Sequence, residues 1–306
     1  MSRLRVIILN YNRSALTTKC VHSVLSQDYV PLDIVVVDNH SEDKEFIALA
    51  NSLPRYIQII RSPCNLGYSG GNNIGIKYKG LPDPKYVAIV NNDIIFINPN
   101  ILGNLVSTLE RDSTRAACSP LVDTVATEVP PEKQVQVRRL PSYLALLVAD
   151  SWWLRRLPGL RNIARLYSYD DMRPYPYDEE IECETINGSC WVVRKEIMEQ
   201  IGYLDEGTFL YQEEIIFGKQ IQKLGKRNCL VTSSIVHHYQ GGTSGQRAGR
   251  IKIDSFRHMV QSEAHYCRKY LGISAFGIGA LFFIRAIDIF TKVIIKNIQD
   301  IAAYGK

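Results

Sequence analysis

Short apolar runs rich in β-branched residues alternate with helical patterns over the first 110 positions, and this alternation constrains the fold more than any other feature. Such runs are typical of strands covered on both faces in a parallel sheet. Helices that connect parallel strands form right-handed crossovers. The predicted strands are Leu4–Leu9, Leu32–Val37, Tyr56–Ile60 and Tyr86–Val90, and the predicted helices are Ser14–Ser26, Asp43–Asn51, one opened by the glycine-rich Asn65–Gly75, and Asn100–Glu110. The sequence therefore predicts an α/β protein with a doubly wound, mostly parallel sheet flanked by helices.

The regular alternation stops after residue 122. Residues 123–182 contain scattered prolines, the pair Trp152-Trp153 and basic clusters such as Arg155-Arg156, so we predict an irregular insertion there. Strand-like character resumes at Glu184–Arg194 and Asn228–Val231, with helices predicted at Lys195–Ile201 and Glu213–Leu224. We expect one domain over residues 1–250 and a helical extension over residues 251–306.

Composition excludes several classes of protein. A hydrophobic content of 46% and a charged content of 22% are ordinary for a globular protein. The net charge of +5 is too small for a nucleic-acid-binding surface, although it suits an anionic partner. Seven scattered cysteines without a CxxC pair argue against a zinc site or a disulfide framework, and the N-terminus lacks the apolar core of a signal peptide. These features predict a cytoplasmic protein.

Two helices are predicted at the C-terminus, Ile253–Tyr270 and Phe276–Ile301. The second helix is apolar except for one narrow polar stripe, which consists of Arg285, Asp288, Lys292, Lys296 and Gln299. Its uncharged run before Arg285 is far shorter than the roughly 20 residues of a membrane span. Two interpretations remain open: an interfacial helix on an anionic membrane, and a helix packed on the domain or on a second subunit.

Four polar clusters fall at predicted strand ends or helix starts: Asp38-Asn39, Gly67–Asn73, Asn91-Asn92-Asp93 and Glu213-Glu214. Each alone is explained by a turn, a helix cap or the helix dipole. The predicted fold, however, places the first three at one edge of the sheet, where open α/β sheets bind their ligands. We therefore predict a ligand site at this edge.

Asp93 ends an apolar strand beside two amides, which suits a hard cation such as Mg²⁺ or Mn²⁺. Such a cation would neutralise a diphosphate and help it to leave. Glu213 or Glu214 could then accept a proton from an incoming hydroxyl. These residue types predict the displacement of a diphosphate.

The ordered motifs resemble one family, the inverting nucleotide-sugar glycosyltransferases of family 2 with the GT-A fold. Within it, the chain is most similar to bacterial rhamnosyltransferase-type members of surface polysaccharide assembly. The motifs are VIILNYNR at Val6–Arg13, IVVVDNHSED at Ile34–Asp43, NLGYSGGNNIGI at Asn65–Ile76, VNND at Val90–Asp93, NGSCWVVRKEIMEQIGYLDEGTFLYQEE at Asn187–Glu214 and HHYQGGTSG at His237–Gly245. The resemblance makes residues 1–122 a nucleotide-sugar-binding half and residues 183–250 an acceptor and catalytic half.

The resemblance also implies donor and metal residues. Asp38 would accept a hydrogen bond from the nucleotide base. The other residues implied near the nucleotide or donor sugar are Asn10, Asn12, Gly70, Gly71, Asn72, Asn73 and Asn92. Asp93 would bind Mg²⁺ or Mn²⁺, and His238 matches a histidine that approaches the metal and diphosphate. Because His237 is adjacent, the histidine register stays open.

Acceptor and catalytic roles follow from the same resemblance. Asn187, Gly188 and Ser189 would border the acceptor, with glycine letting a sugar approach the backbone. Glu214 would be the catalytic base and Glu213 its partner. Glu214 departs from the aspartate usual in the family, and Asn91 occupies the first position of the metal motif.

The predicted function is metal-dependent, inverting transfer of a sugar, with rhamnose as one candidate, from a dTDP-, UDP- or GDP-linked donor to a saccharide or lipid-linked saccharide. A peripheral contact with the inner face of the plasma membrane and a homodimer are compatible with the sequence. Two alternatives remain: a nucleotide-sugar pyrophosphorylase, and a non-catalytic nucleotide-sugar-binding scaffold. A dinucleotide oxidoreductase is disfavoured because NYNR follows Leu9 where GxGxxG is expected.

Overall fold

A computed structural model describes residues 2–239 and 253–304, without the side chains of residues 292–304. The strands in these residues are β1 (Leu4–Asn10), β2 (Leu32–Asp38), β3 (Gln58–Arg61), β4 (Tyr86–Asn91), β5 (Ile94–Phe96), β6 (Arg115–Thr124), β7 (Glu180–Cys183), β8 (Cys190–Arg194) and β9 (Arg227–His238). The helices are α1 (Ser14–Leu25), α2 (Asp43–Ser52), α3 (Gly67–Ile76), α4 (Ile101–Arg111), α5 (Tyr143–Ala149), α6 (Leu160–Tyr167), α7 (Lys195–Gln200), α8 (Glu213–Lys223), α9 (Ile253–Tyr270) and α10 (Ala275–Tyr304).

All the described strands join one mixed sheet in the order β3-β2-β1-β4-β8-β6-β9-β5, with β7 also paired to β9. Strands β1 to β4 are mutually parallel, as predicted. Strand β8 is antiparallel to both β4 and β6, whereas β6 and β9 are parallel. The α/β fold is thus confirmed, with parallel strands in the first half and mixed strands in the second.

Burial on both faces explains why the first strands form where they do. In β1, Val6 and Ile8 pack into one apolar cluster, and Ile7 packs into another on the opposite face. Helix α1 covers the first face, and the glycine-rich α3 packs on the second. Burial of each such side chain contributes about 1.5–3 kcal/mol, which makes this half of the sheet the core.

The structure differs from the sequence prediction in several strands. Strands β5 (Ile94–Phe96) and β7 (Glu180–Cys183) were not predicted, and β9 (Arg227–His238) extends well beyond the predicted Asn228–Val231. Strand β6 was not predicted, and its Pro120 lies where the pairing with β9 shifts register, a place that tolerates the missing backbone donor. The predicted strand Glu184–Arg194 begins only at Cys190. Residues 184–189 form a loop instead, because Asn187 and Ser189 bond within it.

The irregular insertion and the C-terminal helices pack together. Leu146 of α5, Tyr167 of α6, Ile216 of α8 and Leu281 of α10 belong to one apolar cluster. Residues 123–182 are therefore anchored on the helix that begins at Glu213.

The polar stripe of α10 faces this cluster over its first turns. Arg285 and Asp288 are each 1% exposed, and Arg285 donates to Glu263 at 2.7 Å and to Asp288 at 3.2 Å. Asp288 also accepts from Ser151 at 2.8 Å. Of the two interpretations of the stripe, packing of the helix on the domain is therefore correct for Arg285 and Asp288. The side chains of Lys292, Lys296 and Gln299 lie outside the described part.

The opposite face of α10 is exposed and apolar, with Phe276, Phe283 and Phe290 at 88%, 68% and 66% exposure. Even so, no helix in residues 2–239 or 253–304 is both long and apolar enough to cross a membrane.

Candidate active site

The ends of three neighbouring strands bring polar residues to one edge of the sheet. Asn10 at the end of β1 pairs in register with Asp38 at the end of β2. On the other side of β1, Leu9 pairs with Asn91 at the end of β4. The predicted shared edge is therefore present.

A buried hydrogen-bond chain joins these strand ends. Asn10 donates to Asp38 at 2.8 Å and accepts from the hydroxyl of Thr17 at 2.7 Å. Asn92 in turn donates to Thr17 at 3.0 Å. Thr17 was missed by sequence reasoning, although a polar residue one turn before Val21 on the buried face of α1 was a signal. The chain fixes Asp38, Asn10 and Asn92 relative to one another.

Ser41 ties Asn12 into the same group. Its hydroxyl accepts from the backbone N–H of Asn12 at 2.8 Å, and its own N–H donates to Asp38 at 3.2 Å. Asp38 is fully buried and lies 3.5 Å from Arg61. These contacts hold the carboxylate in place, while its predicted contact with a base stays a prediction.

The glycines of α3 allow close packing. A Cβ on Gly67, whose φ is +70°, would lie 2.2 Å from the carbonyl oxygen of Phe209, and one on Gly71 would lie 2.4 Å from Leu9. A Cβ on Gly70 would lie 2.7 Å from Leu66, within the same turn. This packing brings the start of α3 against the segment that precedes α8.

The two asparagines of α3 bond within the protein. Asn73 donates to the backbone oxygen of Leu204 at 2.9 Å and to Glu206 at 2.7 Å. Asn72 donates to the backbone of Tyr68 at 3.0 Å, and its Oδ1 is buried without a partner in the described residues. Packing therefore accounts for Asn73, whereas Asn72 keeps a free acceptor; donor contacts of both stay predictions.

Asp93 and His238 meet at the same edge. His238 on β9 lies opposite Ile94 on β5, which brings its Nε2 to 3.1 Å from Asp93 Oδ1. His237 points instead to Asp123, at 3.6 Å. The structure therefore pairs His238 with Asp93.

The donor atoms of this pair suit a divalent cation with several open positions. A carboxylate oxygen and an imidazole nitrogen both bind Mn²⁺, and the substrate can complete the shell. Within the described parts of the chain, no group of three or more His, Cys, Asp or Glu side chains is arranged to hold a metal.

Helix α8 begins at the acidic pair Glu213 and Glu214, directly after two residues in the left-handed region. Tyr211 and Gln212 have φ values of 74° and 70°. Such conformations cost about 1–3 kcal/mol each for non-glycine residues and cluster at functional sites. The start of α8 therefore has the backbone strain typical of an active site.

Glu213 is held in an unfavourable environment for a charge. Its Oε1 is buried and has no hydrogen-bond partner among the residues described. Burial, and secondly the charge of Glu214, raise the pKa of Glu213 to about 8. The protein environment therefore favours the protonated form of Glu213.

The loop 187–189 connects the acidic pair to the sheet edge. A Cβ on Gly188 would lie 2.3 Å from Glu214 Oε1, so the glycine makes room for this carboxylate. Ser189 accepts a backbone hydrogen bond from Asn91 at 2.8 Å, and Gly188 accepts one from the hydroxyl of Tyr68 at 2.6 Å. Asn187 completes the loop by accepting from Ser189 at 2.6 Å. The acid pair and the strand ends thus form one site, and Tyr68, missed by sequence reasoning, braces it.

Known sequences resemble this chain over most of its length. The model of the family described as glycosyl transferase family 2 matches residues 5–202. The low-salt glycan biosynthesis hexosyltransferase Agl10 of Haloferax volcanii is 28% identical over 87% of this chain and 77% of its own length. The N-acetylglucosaminyl-diphospho-decaprenol L-rhamnosyltransferase of Mycobacterium tuberculosis is 24% identical over 79% of this chain and 78% of its own.

Solved structures share the fold. GalNAc-T7 with UDP, GalNAc and Mn²⁺ superposes with a TM-score of 0.61 and 17% identity, covering 88% of this chain and 48% of that one. The mannosyltransferase PcManGT of Pyrobaculum calidifontis, in complex with GDP-Man and Mn²⁺, superposes with a TM-score of 0.55 and 18% identity. The match covers 93% of this chain and 69% of that one. This chain spans about half the length of the first structure and more than two thirds of the second. The family match covers more than half of the chain, which therefore belongs to glycosyl transferase family 2 and is a glycosyltransferase with the GT-A fold.

Proposed function

We propose that the protein catalyses metal-dependent, inverting transfer of a sugar from a nucleoside-diphosphate sugar to a hydroxyl of a saccharide. The observation that carries this proposal is the connection of Glu214 to Asn91, through Gly188 and Ser189, beside the pair of Asp93 and His238. A base and a diphosphate-binding group are both needed for such a displacement, and this edge of the sheet offers both.

Glu214 is the proposed base. Its carboxylate lies against Gly188, in the loop proposed to border the acceptor together with Asn187 and Ser189. It would take the proton of the attacking hydroxyl. The raised pKa of Glu213 favours its protonated form, which cannot accept this proton. A single in-line displacement inverts the anomeric carbon and needs no nucleophile from the protein.

Asp93 and His238 would hold Mn²⁺ or Mg²⁺. The cation, when bound, would neutralise charge that develops on the diphosphate leaving group. Asp38, Asn10 and Asn12 would meet the nucleotide, with Asn92 beside them. The remaining proposed donor contacts are Gly70, Gly71, Asn72 and Asn73. Both structural neighbours described above were solved with Mn²⁺ and either UDP or GDP-Man, which supports a metal and a nucleotide sugar as ligands of this chain.

The relatives support a role in glycan assembly. The mycobacterial relative is named for L-rhamnose transfer to a diphospho-lipid acceptor, and the haloarchaeal one for glycan biosynthesis. We propose rhamnose as the first donor sugar to test and a lipid-linked saccharide as acceptor, for cell-surface polysaccharide, on the inner face of the membrane. A homodimer stays compatible with this arrangement.

A thermal-shift screen of dTDP-, UDP- and GDP-linked sugars with and without Mn²⁺ tests the donor assignment. A ligand that binds only the native state must raise its stability. We expect one nucleotide class to raise Tm in the presence of Mn²⁺ and not in EDTA, and Asp93→Ala to abolish the shift. No shift with any donor would count against the proposal.

A further inference from the structure

A cavity separate from the candidate active site lies in the insertion. It has a volume of about 530 Å³ and is lined by parts of α5, α6 and the turn between them. Pockets for small ligands typically measure roughly 300–1,000 Å³. Five arginines line it: Arg138, Arg155, Arg156, Arg161 and Arg165.

The arginines outnumber the acids of the cavity. Asp150 and Asp170 are the two acids among its lining residues. Asp170 is engaged by Arg165 at 3.4 Å and also by Arg173. The segment from Ser151 to Tyr169 carries four arginines and no acid, so the local charge is strongly positive.

Four of these five guanidinium groups form no ion pair with a carboxylate of the described residues. Arg138, Arg155 and Arg161 lie more than 4 Å from every acid in the part of the chain that the structure describes. The same holds for Arg156, which donates to the backbone oxygen of Trp152 and stacks on its ring. Unpaired guanidinium groups around one cavity are the arrangement that binds phosphate, since the planar group can donate two parallel hydrogen bonds to it.

The cavity adjoins the start of α8. Tyr167 lines the cavity and packs in one apolar cluster with Ile215 and Ile216, the residues that follow Glu214. Burial raises the pKa of Tyr167, while nearby Arg138 opposes and Glu214 adds to that rise. Tyr167 thus belongs both to the wall of the cavity and to the apolar cluster at the start of α8, which makes the two sites neighbours.

We propose that this arginine-lined cavity binds a phosphate or diphosphate group, and that in the working enzyme this group belongs to the acceptor. The second half of this statement rests on the proposed function. A hydroxyl at Glu214 and a phosphate in the cavity could then come from one phosphorylated saccharide. The same chemistry would also accept the phosphate of an anionic lipid headgroup, and the experiment separates the two sources.

Isothermal titration of the full chain with inorganic pyrophosphate in EDTA tests the cavity directly. Binding through Asp93 would need a metal, so EDTA removes that contribution. We expect Arg138→Gln combined with Arg161→Gln to weaken binding about tenfold or more, because charged hydrogen bonds are lost. Asp93→Asn and the exposed control Arg55→Gln should bind as the wild type does. Equal affinity in the double variant and wild type, with unchanged Tm, would overturn the proposal.

Flotation with vesicles identifies the source of the phosphate. If the double variant no longer floats with vesicles of phosphatidylglycerol and phosphatidylcholine in equal parts, a lipid headgroup is the ligand. If it floats as the wild type does but loses pyrophosphate and farnesyl diphosphate binding, the ligand is an acceptor phosphate. The first result would overturn the assignment of this phosphate to the acceptor, and the second supports it. Neither result depends on sugar transfer, so failure of the proposed function would be seen separately in the donor screen.

Discussion

Glu214 packs against Gly188, and the absence of a side chain at position 188 makes room for its carboxylate. The carboxylate Oε1 occupies the space where a Cβ at position 188 would be, 2.3 Å away. The two residues lie 26 positions apart and meet only in the fold. We infer that glycine at 188 and glutamate at 214 function as a pair.

Glu214→Gln should lower kcat for sugar transfer by about 10²–10⁴-fold, because the amide cannot accept the proton of the acceptor. The side chain keeps its shape, so circular dichroism and Tm should stay close to wild type. Glu196→Gln, at an exposed position in the first turn of α7, is the matched control and should keep wild-type activity. A Glu214→Gln enzyme with wild-type kcat would mean that another group is the base.

Gly188→Ala should displace the Glu214 carboxylate and cost about 100-fold in kcat, the penalty typical of a 1 Å misplacement. The loss should be smaller in a Glu214→Asp background, because the shorter side chain leaves room for a methyl group. Gly279→Ala is the control, since a Cβ there meets nothing within 4 Å. Equal losses in the two backgrounds would show that Gly188 and Glu214 act independently.

Glu213→Gln should stabilise the protein at alkaline pH. The pKa of Glu213 is raised from 4.5 to about 8, so the native state holds its proton more tightly than the unfolded state. This contribution to stability is complete below about pH 4.5 and is lost as pH rises through about 8. The Tm difference between variant and wild type should grow between these values, to about 2–4 °C or more at pH 8.5. A difference that is independent of pH would contradict the raised pKa.

At the scale of elements, the start of α8 combines a strained backbone with a buried, unpaired carboxylate oxygen. The left-handed residues Tyr211 and Gln212 and the unpaired Oε1 of Glu213 all occur within three residues. Packing of Ile215 and Ile216 on the insertion and the C-terminal helices holds this strained turn in place. The insertion thus has a structural role beside any role in binding.

Helix α10 is attached to the domain by a buried charge cluster. Arg285→Met should destabilise the fold by about 3–5 kcal/mol, because Glu263 and Asp288 would be left buried without their cation. Denaturant unfolding measures this change. Arg268→Met, at an exposed position on α9, should change stability by less than about 0.5 kcal/mol. A small effect at Arg285 would mean that α10 is not held by this cluster.

At the scale of the whole molecule, sequence reasoning succeeded where burial decides the structure. The strands β1 and β4 lie within one residue of their predicted ends because side chains on both of their faces are buried. It failed at β6, because a proline such as Pro120 is not expected in a central strand. It also failed at residues 184–189, because hydrogen bonds between polar side chains form a loop where a strand was predicted.

In the candidate site, too, residues beside apolar elements could be proposed from the sequence, whereas contacts between distant elements could not. Asp38, Asp93 and Glu214 could be proposed from the sequence because each is a polar residue next to an apolar element. Tyr68, which bonds to Gly188 from 120 residues away, was missed, since its role depends on packing between distant elements. The pairing of Asp93 with His238 rather than His237 likewise followed only from the register of β5 and β9.

The most direct test of the central claim is to identify the phosphate product released from a nucleotide sugar by the full chain with Mn²⁺ and an acceptor. We predict release of the free nucleoside diphosphate, in step with transfer of the sugar, and its loss in EDTA. Release of pyrophosphate would identify a pyrophosphorylase, and tight donor binding without any turnover would identify a nucleotide-sugar-binding scaffold. Either result would contradict the proposed transfer at Glu214 and Asp93.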